Sequence, residues 1–443
     1  MSTNTNPGTN PTATATAIAT ATATADAVVI GGGILGACTA LHLAEGGAGK
    51  VVLLEREPAL GTQTTHAGAG FVGYWAGELE GELARYGIEF YERLQAEAGE
   101  DLGVRHVGLL FPALSEPGVE MLREEYEREQ EFATVELVDA DEACRLSPLL
   151  AREAIYGGLY QPDGRQVPTR RVIHALAQRL NAAGVEVETG VEALRAQTSC
   201  GRVIGIRTSA GNIATGIIVN AAGAATRAVA SRDGVDVAAV PLLESRVLTE
   251  PLAEVREGLP MLLFFERDLF YARTEDGGLL YGAIERELGA SSRVPLAAPP
   301  GTGELPEHAA ANHERLATEL ADVIPALKTA RTRERASGLP TWTPDGRHIL
   351  GPAPGLDGYV VLAGCNESGV THGPGLARFA AELVLTGATE ADLSPYRVDR
   401  FAADALDESE LQRQAEAQYL ARHPPEPGKA AAPFGITIPR SSH

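Results

Sequence analysis

The sequence predicts an α/β chain in two parts: a mainly parallel sheet assembled from distant segments, and an inserted α+β domain built on an antiparallel sheet. Three observations carry this prediction. Near the start, Ala27-Val28-Val29-Ile30 runs into Gly31-x-Gly33-x-x-Gly36, an alanine-rich helical pattern follows through Leu43, and Val51-Val52-Leu53-Leu54 closes on Glu55. From Val240 to Ile284 the texture turns β-rich. Strand–loop–helix texture returns between Tyr359 and Leu385, so the first part is discontinuous.

The opening segment has the strand–turn–helix–strand context of a dinucleotide fingerprint. Gly31 allows the tight turn, Gly33 admits a pyrophosphate close to the backbone, and Gly36 lets helix and strand pack closely. The helix N-terminus supplies unpaired N–H groups and a positive dipole end. Glu55 lies nineteen residues past Gly36, where a carboxylate accepts from ribose hydroxyls. The fingerprint alone leaves FAD and NAD both open. The small, hydroxylic loop from Ala59 to Gly70 suits wrapping around a large planar cofactor; its plainer reading is a flexible surface connection.

Residues 1–25 are dominated by Thr, Ala, Asn and Pro and read as a disordered tail without the charge and apolar pattern of a signal peptide. Val119 to Glu131 is a polar helical stretch. Thr169 to Ala183 is an amphipathic helix, with Val172, Ile173, Leu176 and Leu180 at helical spacing, and it leads into the strand Val185-Glu186-Val187. Val203 to Thr208 and Gly211 to Ile213 form a hairpin around Ser209-Ala210, and Ile217 to Gly223 is a buried strand. In the β-rich part, Arg246 to Thr249, Leu262 to Phe265, Phe270 to Arg273 and Leu279 to Tyr281 predict a largely antiparallel sheet. His308 to Val323 is a helix stopped at Pro325. Tyr359 to Gly364 is a strand, Gly369 to Gly375 a loop and Leu376 to Leu385 a helix. A patch near 291–305 reads as a surface loop, and 401–443 as a C-terminal helix with an irregular tail. The dinucleotide-binding domain is expected to take residues 26–110, 155–235 and 335–400, and the second domain residues 111–154 and 236–334.

A length of 443 residues gives room for two domains. The formal net charge of −22 argues against nucleic acid and anionic membrane as partners, since both would repel this surface. Cys38, Cys144, Cys200 and Cys365 are scattered without a CxxC pair. No metal site or disulfide framework is therefore expected, and a reducing cytoplasm is. No apolar run reaches membrane-spanning length.

Taken together, Ala27 to Glu55, Gly61 to Gly73, Ile217 to Thr226 and Thr341 to Gly375 resemble the FAD-dependent D-amino-acid oxidase superfamily. That group includes glycine and sarcosine oxidases and the sarcosine and dimethylglycine dehydrogenases, whose flavin domain is most similar. The further matching motifs are Gly158-Leu159-Tyr160-x-Pro162-Asp163-Gly164 with Pro168, Phe270-Tyr271-x-Arg273, Thr343-Pro344-Asp345-Gly346 through Gly351-Pro352, and Gly364-Cys365-Asn366-Glu367-Ser368-Gly369-Val370 through Gly375. The resemblance covers about residues 27–420 and implies a Rossmann-like FAD-binding domain with an inserted substrate domain. The implied cofactor set is Gly31, Gly33, Ile34, Leu35, Gly36, Glu55 and Arg56, then Thr64, Thr65, His66 and Ala67, then Val191 and Gly223, and last Gly364, Asn366, Ser368, Gly369 and Val370.

Several positions depart from the family pattern. The folate-binding region of the dehydrogenases would begin where this sequence stops, so capture of formaldehyde by tetrahydrofolate is not expected in this polypeptide. Thr371 stands where the oxidases place a lysine over the flavin. Gly338 aligns with the flavin-linking cysteine of some oxidases, and Pro340 with the carboxylate-binding arginine of glycine oxidase. The dehydrogenases link FAD to a histidine in a Thr-x-His-Ala-x-Gly loop. His66 matches that histidine if one residue is inserted after it; without a gap Ala67 takes its place, so covalent attachment stays open.

The resemblance implies oxidation of the C–N bond of a secondary or tertiary amine, such as an N-alkyl amino acid, by hydride transfer to flavin, giving an imine that water hydrolyses. Tyr271, Arg273 and His372 are the catalytic candidates. Tyr271 would shape the pocket and bond the amine or carboxylate, and Arg273, on the same strand face, would clamp a carboxylate. The plainer readings are a core aromatic, a rim charge and a structural histidine. Arg246, Glu367 and Trp342 are weaker pocket candidates. The electron acceptor is dioxygen or an electron-transfer protein, and Thr371 favours dehydrogenase over oxidase behaviour. Three rivals stay open: the same fold acting on a primary amino acid or 2-hydroxy acid, an NAD-dependent dehydrogenase, and a non-redox flavin-binding interaction module.

Overall fold

The structure, a computed structural model, describes residues 22–73, 78–267, 270–283, 294–301, 309–401 and 407–422. Most of the tail read at the start of the chain, much of the 291–305 patch and the segment 423–443 lie outside them.

A six-stranded sheet runs in the order Glu186–Thr189, Val51–Glu55, Ala27–Ile30, Ile218–Asn220, Tyr359–Ala363, Ile349–Pro352. All neighbours are parallel except the last pair. Its central strands are near-continuous apolar runs because both faces are covered. Val29, Leu53, Val219 and Leu362 face the helices Ile34–Glu45, Glu78–Glu97, Thr169–Ala182 and Gly369–Thr386. Val28, Val52, Ile218 and Val361 face a small meander, Ala193–Ser199, Arg202–Thr208 and Gly211–Ala214.

One expectation changes at this meander. Ala23–Thr24, read as part of a disordered tail, adds to it as a parallel edge strand against Ile213–Ala214. The local composition carries no core signal. The strand forms because the open edge of Gly211–Ala214 offers backbone partners, with Thr22 N–H donating to Asn212 O and Ala25 N–H to Ala214 O, both at 2.9 Å.

The second sheet has eight strands in the order Thr332–Gly338, Glu244–Thr249, Gly278–Ala283, Phe270–Glu275, Met261–Phe264, Leu109–Ala113, Gly157–Gln161, Glu136–Asp139. Every neighbour pair is antiparallel except Met261–Phe264 with Leu109–Ala113. Gly157–Gln161 was expected with the nucleotide-binding part; it pairs instead with Leu109–Ala113 and Glu136–Asp139 of this sheet. Ala309–Leu320 is helical, as is Glu408–Arg422, which buries Leu411, Ala415 and Tyr419 at four-residue spacing.

The stretch Gly369 to Gly375 is not a loop. It forms the first turns of the Gly369–Thr386 helix, with Pro374 inside. Its glycines serve helix packing rather than turning: a Cβ on Gly375 would lie 2.7 Å from Leu83 Cδ2, and one on Gly373 3.3 Å from Leu35 Cδ2. Pro374 has no N–H to give the carbonyl of Val370. The buried Tyr91 hydroxyl donates to that carbonyl instead, at 2.7 Å.

Candidate active site

The carboxyl ends of Ala27–Ile30, Val51–Glu55 and Ile218–Asn220 open into one cavity, the usual ligand position on such a sheet. Gly31 turns the chain there at φ +104°, and a Cβ on it would lie 2.5 Å from Ala221 O. Gly36 touches the turn, since its Cβ would fall 1.9 Å from Gly31 O. At Gly33 a Cβ would meet nothing closer than Thr65 Oγ1 at 3.5 Å, so this backbone faces open space. The three glycines thus divide into a turn, a bare approach surface and a close contact.

Glu55 lies on the same wall with Arg56. Its Oε2 accepts from Gly32 N at 2.7 Å and its Oε1 from Glu57 N at 2.8 Å. Burial pushes its pKa up, and the two backbone donors pull against that. Ile34, Leu35 and Gly223 complete this end. Gly223 sits at φ +55° with open space where a side chain would be. Val191 hands its N–H to Glu55 O at 2.9 Å and lies behind the wall.

The Thr64–Ala67 turn crosses the cavity and is tied at both threonines. Thr65 Oγ1 accepts from Ile34 N at 3.1 Å, and Thr64 Oγ1 from Leu339 N at 3.1 Å. Thr64, Thr65 and Ala67 line the cavity; His66 does not. Its Nε2 lies 3.3 Å from Glu334 Oε1 on the other side of the turn. Burial, with the Arg170 and Arg246 charges, lowers its pKa.

Beside Ile34, Ser368, Gly369 and Val370 bring the N-terminus of the Gly369–Thr386 helix to the cavity, with no side chain capping its first turn. Unpaired N–H groups and the positive dipole end therefore face inward. Gly364 and Asn366 support this wall from behind. Asn366, at φ +45°, accepts from Thr343 N at 3.0 Å and donates to Gly364 O at 2.7 Å. The next residue, Glu367, at φ +67°, lines the cavity.

The eight-stranded sheet closes the cavity with Glu244, Ser245, Leu263 and Tyr271. Tyr271 has room because Gly282 lies beneath it: a Cβ there would be 2.5 Å from the phenol oxygen. Burial raises the Tyr271 pKa beyond its ordinary range, so the phenol is neutral.

Arg273 is in a different position from the one its alternation with Tyr271 suggested. It is fully buried and donates to Ala69 O, to Thr274 O at 3.3 Å and to the Glu275 carboxylate. Arg246 is equally buried and donates to His66 O at 2.7 Å. Arg246 grips a carbonyl of the Thr64–Ala67 turn and Arg273 one just after it, and neither lines the cavity wall. His372 is buried against His348, with Nδ1 3.1 Å from His348 Nε2, again off the wall. Trp342 is a core residue, edge-on to Tyr419 at 5.2 Å. Glu244 and Gly282 carried no motif and were missed; only the strand alternation with Arg246 and Tyr281 marked their faces.

The FAD dependent oxidoreductase family, DAO, matches residues 26–383. The chain belongs to this family. It is 30% identical over 85% of its length to 4-methylaminobutanoate oxidase (formaldehyde-forming) of Paenarthrobacter nicotinovorans, and covers 45% of that protein. It is 28% identical over 85% of its length to mitochondrial dimethylglycine dehydrogenase of Rattus norvegicus, again covering 45%. The chain thus spans less than half the length of these relatives. Among solved structures, iminodiacetate oxidase of Chelativorans sp. BNC1 is 26% identical, with a TM-score of 0.71 over 84% of this chain and 98% of that one. These comparisons agree with the α/β fold and the FAD-dependent chemistry expected from sequence.

The cavity fits FAD. Gly33 and Gly223 leave space where side chains would stand, two helix N-termini face it, and the Glu55 carboxylate lies on its wall. Among the described residues no group of His, Cys, Asp and Glu could hold a metal. None of their helices is long and apolar enough to cross a membrane.

Proposed function

We propose that the chain oxidises the C–N bond of a secondary or tertiary amine. The observation that carries this is the family match with relatives whose named substrates, methylaminobutanoate, dimethylglycine and iminodiacetate, are all such amines. The cavity supports it by joining the dinucleotide fingerprint to the Tyr271 wall in one space. When bound, FAD supplies the two-electron acceptor. The C–H bond beside nitrogen breaks, hydrogen leaves with its electron pair, and nitrogen's lone pair forms the C=N bond. Water then adds to that carbon and the C–N bond breaks, leaving an aldehyde and the dealkylated amine. The neutral Tyr271 phenol orients the amine. The first turn of the Gly369–Thr386 helix stabilises the negative charge the cofactor gains.

Flavin is held without a bond to His66, because the His66 ring faces Glu334. Acid-precipitated protein is expected to release all its yellow colour; a yellow pellet that His66→Ala abolishes would establish the bond. The electrons pass more readily to an electron-transfer protein than to dioxygen, since Thr371 lines the cavity and its described wall holds no lysine. The free thiols Cys38, Cys144, Cys200 and Cys365 suit a reducing cytoplasm, and the charge of −22 disfavours nucleic-acid partners.

An anaerobic screen of amines for flavin bleaching tests the reading, with aldehyde and dealkylated amine as products. Ammonia or a keto acid would point to primary amino acids or hydroxy acids. A flavin that no amine bleaches would favour a non-redox interaction module.

A further inference from the structure

We infer that His348 is a positioning residue for the cofactor's charge. It ties the turn at Gly364 to the first turn of the Gly369–Thr386 helix, and thereby sets how much more tightly the reduced cofactor is held than the oxidised one. This rests on the reading that the helix start stabilises the negative charge the cofactor gains.

The residues that lead into this helix are held in a conformation that their side chains disfavour. Gly364 sits at φ +67°, and Asn366 and Glu367 follow at +45° and +67°. Positive φ is strained for a residue with a side chain and persists only where the surroundings over-determine it. Here they do. Gly364 N donates to Thr341 Oγ1 at 3.1 Å and Asn366 N to Thr341 O at 2.9 Å. Gly364 O accepts from Asn366 Nδ2 at 2.7 Å and from His348 Nδ1 at 3.1 Å. A carbonyl only accepts, so the His348 hydrogen is on Nδ1, and in the neutral ring Nε2 is an acceptor. That Nε2 lies 3.1 Å from His372 Nδ1. His372 is the fourth residue of the helix, and its N–H makes the first bond of the ladder, to Ser368 O at 2.8 Å. One imidazole thus bridges the start of the turn and the end of the helix's first turn. The cavity-lining residues Ser368, Gly369 and Val370 lie between these two anchors.

His348 is held in turn. Thr343 Oγ1 donates to Arg347 O at 2.8 Å, and the His348 ring stacks on Tyr396 with 6.1 Å between centroids. Both imidazoles are buried. Two phenylalanines would fill the same space without the cost of desolvating polar nitrogens. They would lack direction, since a satisfied buried hydrogen bond specifies one arrangement.

The reduction potential of the bound flavin tests this, because it reports the ratio of affinities for the reduced and oxidised cofactor. A loosened fold that weakens both alike leaves it unchanged. His348→Phe keeps a ring against Tyr396 and removes both hydrogen bonds. It is expected to lower the ratio about tenfold, which is about 30 mV for a two-electron couple. His372→Phe spares the Gly364 bond and should lower the ratio about threefold, and the double substitution should go no further than His348→Phe alone. Potentials are read anaerobically on holoenzyme against a reference dye, and the FAD affinity of each apoprotein is titrated alongside. An unchanged potential in either single variant, or effects that add in the double, overturns the inference. If His348→Phe does not retain flavin, His372→Phe decides alone. The unmutated protein tests the underlying reading separately: a potential no higher than that of free FAD would mean that the helix start does not stabilise the reduced cofactor.

Discussion

Replacing Tyr91 with phenylalanine removes one oxygen atom from the helix–helix contact behind the cavity. Pro374 occupies the sixth position of the Gly369–Thr386 helix and leaves the Val370 carbonyl without an intrahelical donor. The Tyr91 hydroxyl fills that place at 2.7 Å, and the tyrosine is 1% exposed. An ordinary hydrogen bond contributes about 0.5–1.5 kcal/mol net, and stranding a buried acceptor costs about 1–3 kcal/mol. Val370 is half-buried at the cavity, so some solvent reaches it. Tyr91→Phe should therefore cost about 1–2 kcal/mol. It should also weaken FAD binding severalfold, because Val370 lines the cavity. Urea unfolding followed by circular dichroism gives the stability change, and flavin fluorescence gives the affinity. Pro374→Ala supplies the decisive control, since it restores the missing N–H. In that background Tyr91→Phe should cost less than half as much. Strict additivity in this double-mutant cycle would refute the reasoning, as the hydroxyl would then not be serving the proline's orphan carbonyl.

Gly33→Val should fold normally yet lose FAD, because its side chain would enter open cavity space, whereas Gly36→Ala should destabilise the fold itself, its Cβ falling 1.9 Å from Gly31 O. Thermal unfolding and flavin content separate the two, and a Gly33→Val protein with full colour would count against the fingerprint. Burial pushes the Glu129 carboxyl up to about 8, well above its unfolded value, so the folded state binds the extra proton. The stability this gives is complete at low pH and is lost as pH rises through about 8. Glu129→Gln should flatten that decline; an unchanged pH profile between 5 and 9, as a range of about four units, would show the group to be solvated. Thr371→Lys should speed reoxidation of the reduced enzyme by dioxygen about tenfold or more in stopped flow, through a fixed charge beside developing superoxide. Fast reoxidation of the unmutated enzyme would show that another cation already does this.

The cofactor end of the site was legible because it is local. Gly31, Gly33, Gly36 and Glu55 lie within one strand–helix–strand unit, where the left-handed turn at Gly31 and its close contact with Gly36 demand glycine at fixed spacing. The order of the two sheets, the edge strand at Ala23–Thr24 and the helical start at Gly369 were decided by partners remote in sequence. A glycine-rich, proline-containing stretch has no intrinsic claim to helix. It becomes one where Leu83 and Leu35 press on its glycines and Tyr91 completes its hydrogen bonds. The roles of the charged residues were likewise tertiary. Alternation along a strand told which face Arg246, Tyr271 and Arg273 share, but not that Arg246 would donate to His66 O and Arg273 to Ala69 O. Nor could it show that Glu244 and Glu367, more than a hundred residues apart, would line one cavity. Sequence sets what each residue can donate or accept; which partner it meets depends on the packing of distant segments.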